Sequence, residues 1–228
     1  MQVNNLSIAY DQKNILTNLN VQFSTDKINV ILGPNGTGKT TLLDAIAGLN
    51  TKVIESLSGF PAQKQLAYKA QQLHFFPSLT VRQTIQLYDD IEDHPKDANK
   101  TETMNIIYNQ VISGIIDEKI GKLSGGEQQV VLTYCNCLLT RNLYLFDEPL
   151  SGVDINNSRL IIQMIAALVT EKHKSVILTS HEIELFEDFP IHIVVLNHQK
   201  CVFTGTYHEL LSVTNKNHIN DALRQILI

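Results

Sequence analysis

Nine consecutive residues, Gly33-Pro34-Asn35-Gly36-Thr37-Gly38-Lys39-Thr40-Thr41, have the types and spacing needed to hold a polyphosphate. They fit G-x-x-x-x-G-K-[ST], the phosphate-binding loop. Glycines let successive backbone N–H groups turn inward on an anion, the Lys39 amine reaches β- and γ-phosphates, and the Thr40 hydroxyl can ligate Mg²⁺. This chemistry needs a strand before the loop and a helix after it, whose N-terminus adds partial positive charge beneath the phosphates. Lys27-Ile28-Asn29-Val30-Ile31-Leu32 is an apolar run of strand type, and residues 41–48 read as a helix ended by Gly48. An ordinary glycine-rich turn is the plain alternative, but strand, loop and helix are all in place. The pattern predicts binding of a nucleoside triphosphate.

A second group of candidates lies downstream. Leu143-Tyr144-Leu145-Phe146 reads as a buried strand that delivers Asp147, a carboxylate for the Mg²⁺, directly or through water. Glu148 follows and is suited to orient or deprotonate an attacking water. Two acids at a strand end feeding a helix is the structural alternative, and the upstream phosphate loop favours the functional reading. His181 stands at the end of another apolar strand, 175–180, where an imidazole can contact a γ-phosphate; a lone histidine is more often a satisfied core residue. Gln71 has a weaker case from local sequence. Tyr10 is either a strand aromatic or a flat face on which adenine stacks.

These residues need elements to position them. Val3 to Phe23 reads as an antiparallel hairpin split at Tyr10–Asn14. Residues 49–66 are turn-rich, Leu66-Ala67-Tyr68 is strand-like, and Thr80 is the expected N-cap of a helix through Tyr88. An exposed loop is expected at 89–103 and a helix at 103–113. Ser124-Gly125-Gly126 turns straight into a further helix, and Ser151–Asp154 is a turn before the helix 157–170. A strand pair, Ile191–Leu196 and Val202–Phe203, then precedes a C-terminal helical segment. Strands alternating with helices predict an α/β fold with a mainly parallel sheet and the site at the strands' carboxyl ends.

The 228 residues can bury a sizeable core, and 43% hydrophobic with 18% charged residues is ordinary for a soluble globular chain. A net charge of −5 without a basic block does not suggest a nucleic-acid partner. No apolar run approaches the roughly 18 residues of a membrane span, so no direct membrane insertion is expected. The N-terminus lacks the basic start and apolar core of a secretion signal. Three cysteines fit a reducing compartment, with Cys135 and Cys137 read as buried thiols.

At Leu123-Ser124-Gly125-Gly126-Glu127 the sequence resembles the nucleotide-binding subunit of an ABC transporter. The order Tyr10, phosphate loop, Gln71, this signature, Leu143–Glu148, Ser151–Asp154 and His181 carries the resemblance over roughly residues 2–211. It implies a P-loop NTPase fold with an N-terminal antiparallel β subdomain and a helical signature-motif subdomain at about 72–122, within one ABC ATPase domain spanning 1–228. It implies ATP and Mg²⁺ as cofactors, with Tyr10 on the adenine and Gln71 sensing Mg²⁺ and the attacking water. Glu148 would be the base and His181 the γ-phosphate contact. Ser124, Gly125 and Gly126 would bind the ATP of an opposite cassette in a head-to-tail homodimer or heterodimer, and Asp154 would communicate between the sites. A helix N-terminus there is a ready anion site, expected to lack a ligand of its own within one chain.

The same resemblance implies transmembrane permease subunits as partners and a place in the cytoplasm, peripheral on the inner face of the cell membrane. Phe76-Pro77-Ser78-Leu79-Thr80-Val81 resembles importer ATPases for ions or small solutes more than exporters, and an exporter subunit stays open. The chain departs from the family after Gln128-Gln129, where arginine and an Ala-Arg-Ala stretch are common and Val130 and Thr133–Cys137 stand here. Residues 50–65 lack the usual glycine hairpin, which predicts a reduced arm beside the nucleotide. No C-terminal regulatory domain is expected. The rival readings are a soluble ABC-type ATPase not linked to transport and a phosphotransferase sharing only the phosphate loop.

Overall fold

Strand β3 (Ile28–Leu32) is apolar at all but one position and wholly buried, as a strand covered on both faces must be. It lies between β7 (Ser175–Thr179) and β8 (Ile191–Asn197), parallel to both. The sheet continues through β6 (Leu143–Phe146) to β5 (Leu66–Lys69), also parallel, and closes on the other side with antiparallel β9 (Lys200–Gly205). The spatial order is β5-β6-β7-β3-β8-β9. The one polar residue of β3, Asn29, is fully buried but satisfied: its amide donates to the carbonyls of Ser24 and Val176 and accepts from the Ser24 N–H. The computed structural model describes residues 1–11, 13–50, 55–71, 75–91 and 100–227.

Side chains alternate across this sheet into two cores. Val30, Tyr144, Phe146, Val176, Leu178 and Ile193 face a helical layer, while Ile31, Leu143, Leu145, Ile177 and Val194 face the other way. The second core is closed by α1 (Lys39–Ile46) and by the hairpin β1 (Gln2–Tyr10) and β2 (Lys13–Gln22), whose Leu6, Ile8, Leu16 and Leu19 point inward. The turn-rich stretch contributes a two-residue strand, β4 (Leu57–Ser58), to this small antiparallel sheet in the order β2-β1-β4.

The helical layer on the first face holds α2 (Val81–Asp90), α3 (Glu102–Gln110), α4 (Gly125–Leu138) and α5 (Ile155–Thr170). Thr80 caps α2 as expected, in a reciprocal pairing with Gln83, and the helix runs two residues past Tyr88 to Asp90. The helix expected at 103–113 stops at Gln110, with a 3₁₀ turn at Ile112–Ile115, and α5 starts two residues earlier than 157 because Asp154 caps it. Two short helices, α6 (Tyr207–Thr214) and α7 (Ile219–Ile226), follow β9. Expectations touching 51–54, 72–74 and 92–99 lie outside the described residues there.

Candidate active site

The phosphate loop bends between the end of β3 and the start of α1, and its backbone explains its glycines. Gly38 sits at φ 96° as the N-cap of α1, and a Cβ there would come within 2.6 Å of Leu16 on β2. Lys39 folds its amine back onto the carbonyls of Gly33 (2.9 Å) and Pro34 (3.3 Å), and the Thr37 hydroxyl donates to Pro34 as well. Burial pulls the Lys39 ammonium below the usual lysine range, against Glu148 and Asp147, which favour its charge. A poorly hydrated cation at a helix N-terminus favours an incoming anion.

Opposite the loop, β6 and β7 deliver the carboxylates. Asp147 is buried; its Oδ2 accepts from Thr40 Oγ1 at 2.7 Å and its Oδ1 from Thr179 Oγ1 at 2.6 Å. The Glu148 N–H donates to that same Thr179 hydroxyl at 2.7 Å. Glu148 Oε1 lies 3.0 Å from His181 Nε2, and Oε2 accepts from Gln71 Nε2 at 3.2 Å. Three strand ends thus converge on one carboxylate: Gln71 beyond β5, Glu148 beyond β6 and His181 beyond β7. The local sequence gave Gln71 and His181 little weight, and their shared partner is what joins them.

Between these groups is a cleft of about 500 Å³, the size of pockets that hold small-molecule ligands. Asn35, Gly36, Gly38, Lys39, Thr40, Thr41, Gln71, Glu148 and His181 line it, and Gly33, Pro34, Thr37 and Asp147 are tied to it through the bonds above. The donor set fits Mg²⁺: a hydroxyl and a buried carboxylate, both hard oxygens, already in contact at the cleft floor. Two lining residues were not foreseen, Lys13 and Ile15 from β2. Nothing in their own stretch marks them, because only packing of the hairpin on Gly38 brings them to the loop. Thr179 was likewise passed over as part of a buried strand.

Four sequence candidates lie elsewhere. Tyr10 does not line the cleft; it is 51% exposed and pairs across the hairpin with Lys13, which does. Ser124, Gly125 and Gly126 begin α4 and are also outside the cleft. The Glu127 carboxylate folds back to accept from Ser124 N–H at 2.8 Å and from Ser124 Oγ at 2.7 Å, a capping box that starts α4. Gly126 backs onto α5, where a Cβ would come within 2.8 Å of Asn157 Nδ2 and 3.1 Å of Asp154 Oδ2. Hydrogen bonds from Asn157 in turn hold the Asp154 carboxyl below the usual carboxylate range.

The sequence model of the ABC transporter family matches residues 16–151, well over half of the chain, from β2 through the phosphate loop and signature to the turn after Glu148. The chain belongs to the ABC transporter family. It is 28% identical over 204 residues to the zinc import ATP-binding protein ZnuC of Saccharophagus degradans, covering 88% of this chain and 77% of that one. It is 29% identical over 215 residues to a probable iron chelatin transport ATP-binding protein of Helicobacter pylori, covering 88% and 84%. A solved ATP-binding subunit of an ABC transporter superposes with a TM-score of 0.78 at 20% identity, over 99% of this chain and 98% of that one. The ABC chain is therefore an ATP-binding, ATP-hydrolysing transporter subunit with the P-loop NTPase fold. Among the described residues no helix is long and apolar enough to cross a membrane.

Proposed function

We propose that this ABC subunit energises import of a metal ion or metal chelate, with Glu148 as the base for ATP hydrolysis. The observation that carries the site assignment is the bonding of one carboxylate, Glu148, to both Gln71 and His181 at the mouth of the phosphate-loop cleft. Lys39 and the loop N–H groups bind the β- and γ-phosphates. Thr40 and Asp147 would hold Mg²⁺, which would supply neutralisation of the phosphate charge. Glu148 takes a proton from the attacking water as its oxygen bonds to the γ-phosphorus, Gln71 and His181 orient that carboxylate, and ADP departs. Thr179 fixes the relation of the two acids, since its hydroxyl bridges the Asp147 carboxylate and the Glu148 amide. Tyr10, beside the Lys13 edge of the cleft, is assigned to the adenine.

Ser124, Gly125 and Gly126 have no place in the cleft of their own chain, which supports the reading that they serve the ATP of a second cassette. The segment 72–122 is assigned to docking on permease subunits, which would hold the chain at the cytoplasmic face of the membrane. Metal import is the reading that the relatives support, one being named for zinc import and another for iron chelatin transport. The test is ATP-dependent uptake of Zn²⁺ and of an iron chelate into vesicles from cells carrying the chain or Lys39→Ala. Uptake of one cargo by the wild type, abolished in the variant, is expected. Uptake unaffected by Lys39→Ala contradicts the proposal.

A further inference from the structure

Strand β5 ends in a buried cation. Lys69 is 6% exposed and donates through Nζ to Gln129 Oε1 on α4, itself 7% exposed. Its side chain continues the Ala67 face of β5, toward α4. No lysine or arginine occurs on α4 itself, whose residues from Gln129 to Leu138 are all buried. The cation touching this helix therefore comes from the neighbouring strand. Facing Lys69 are Cys137 of α4, a thiol whose burial pushes its pKa up and keeps it neutral, and Asp147 just beyond β6. Gln129, Thr133 and Cys137 recur every four residues and so share one stripe of α4, and the Thr133 hydroxyl is buried without a hydrogen-bond partner among the described residues.

The neighbours of this contact are the catalytic parts. The Lys69 carbonyl accepts from the Asp147 N–H at 2.9 Å, and two residues on, Gln71 reaches Glu148. Gln129 lies five residues into α4 from Ser124, about 7.5 Å along the axis. On the opposite face of β5 the Tyr68 hydroxyl donates to Asp44 of α1 at 2.9 Å. The strand end is thus pinned to the phosphate-loop helix on one side and the signature helix on the other. We propose that Lys69 is a positioning residue, clamping the first turns of α4 to β5 and so fixing the signature turn relative to Gln71 and Glu148. An amine taken out of water for a neutral amide acceptor carries a folding cost that an apolar residue there would avoid. A costly group beside a site is a mark of function rather than packing.

This rests on Glu148 as base, so Glu148→Gln is assayed in parallel. Lys69→Met, Gln129→Met and the double variant are compared with wild type for urea unfolding, ATP affinity and steady-state hydrolysis. Met keeps the length of either side chain without its hydrogen bond, and replacing both partners of a buried bond restores packing. The expected result is Lys69→Met at least as stable as wild type at neutral pH, with ATP affinity within about twofold and kcat lower by about tenfold or more. The double variant should stay slow though fully stable. If kcat instead returns to the wild-type value in the double variant, Lys69 is only structural and the proposal falls. Lys69→Met at the wild-type rate beside an inactive Glu148→Gln overturns the positioning role alone. An active Glu148→Gln overturns the base assignment.

Discussion

Glu148 adopts φ 46°, a left-handed backbone that a non-glycine residue holds only at a cost of about 1–3 kcal/mol. The Thr179 hydroxyl accepts its amide there, and Gln71 and His181 hold its two oxygens. The strain aims the carboxylate over the cleft rather than along the strand. Lys69 stores a second cost, and its sign gives a pH prediction. The folded chain releases the Lys69 proton at about 8 and the unfolded chain near the ordinary 10.5, so between those values the unfolded state binds more protons and stability rises with pH. Below about 8 the cost is fully present, and the displacement corresponds to about 3 kcal/mol. Wild type should therefore gain on Lys69→Met by that order between pH 7 and 10 in paired urea titrations; an unchanged difference contradicts a buried charged lysine. At this scale the sequence showed Lys39, Thr40, Asp147 and Glu148, whose types are tied to a local motif. Lys69 was invisible because a lysine after Leu66-Ala67-Tyr68 reads as the polar end of a strand.

Helix α4 begins with a capping box that keeps the Glu127 carboxylate beside the signature turn, where the helix N-terminus favours negative charge. In the proposed dimer, the γ-phosphate of the opposing ATP would enter beside that charge. Glu127→Gln keeps a side chain able to complete the cap while removing the charge, so the helix should persist. We expect ATP-dependent association to tighten by roughly 1 kcal/mol or more, about fivefold, most visibly at low salt. Equilibrium sedimentation with ATP at two salt concentrations measures it, and unchanged or weaker association contradicts the competition. Elements themselves were legible wherever a cap and a periodic run agreed, as for Thr80 with α2 and Ser124 with α4. Strand β4 was not, since two residues carry no period and only pairing with Gln2 and Val3 defines them. The departure at Val130 and Thr133–Cys137 reads differently once packed: these positions lie in the core between α4 and its neighbours, where arginine has no room to reach water.

For the whole molecule, the division of the site is the informative feature. One chain presents phosphate loop, Glu148, Gln71 and His181 around a cleft, with Asp147 bonded to Thr40 of its lining, while its signature turn stands outside that cleft. Sequence order could not show this separation; it follows from α4 starting on the helical layer and the phosphate loop ending the central strand. In the proposed reading, two chains arranged head to tail would complete both sites with ATP between them, and hydrolysis at Glu148 would release the pair. Glu148→Gln preserves shape and removes the base, a change typically worth about 10²–10⁴-fold in rate. The bound nucleotide should then hold the dimer, as any ligand of the closed state does. The most direct test is the mass of Glu148→Gln by light scattering after size exclusion, with Mg-ATP or Mg-ADP in the column. A dimer with ATP that reverts to monomer with ADP is the predicted result. Dimers formed equally with ADP would contradict the shared site.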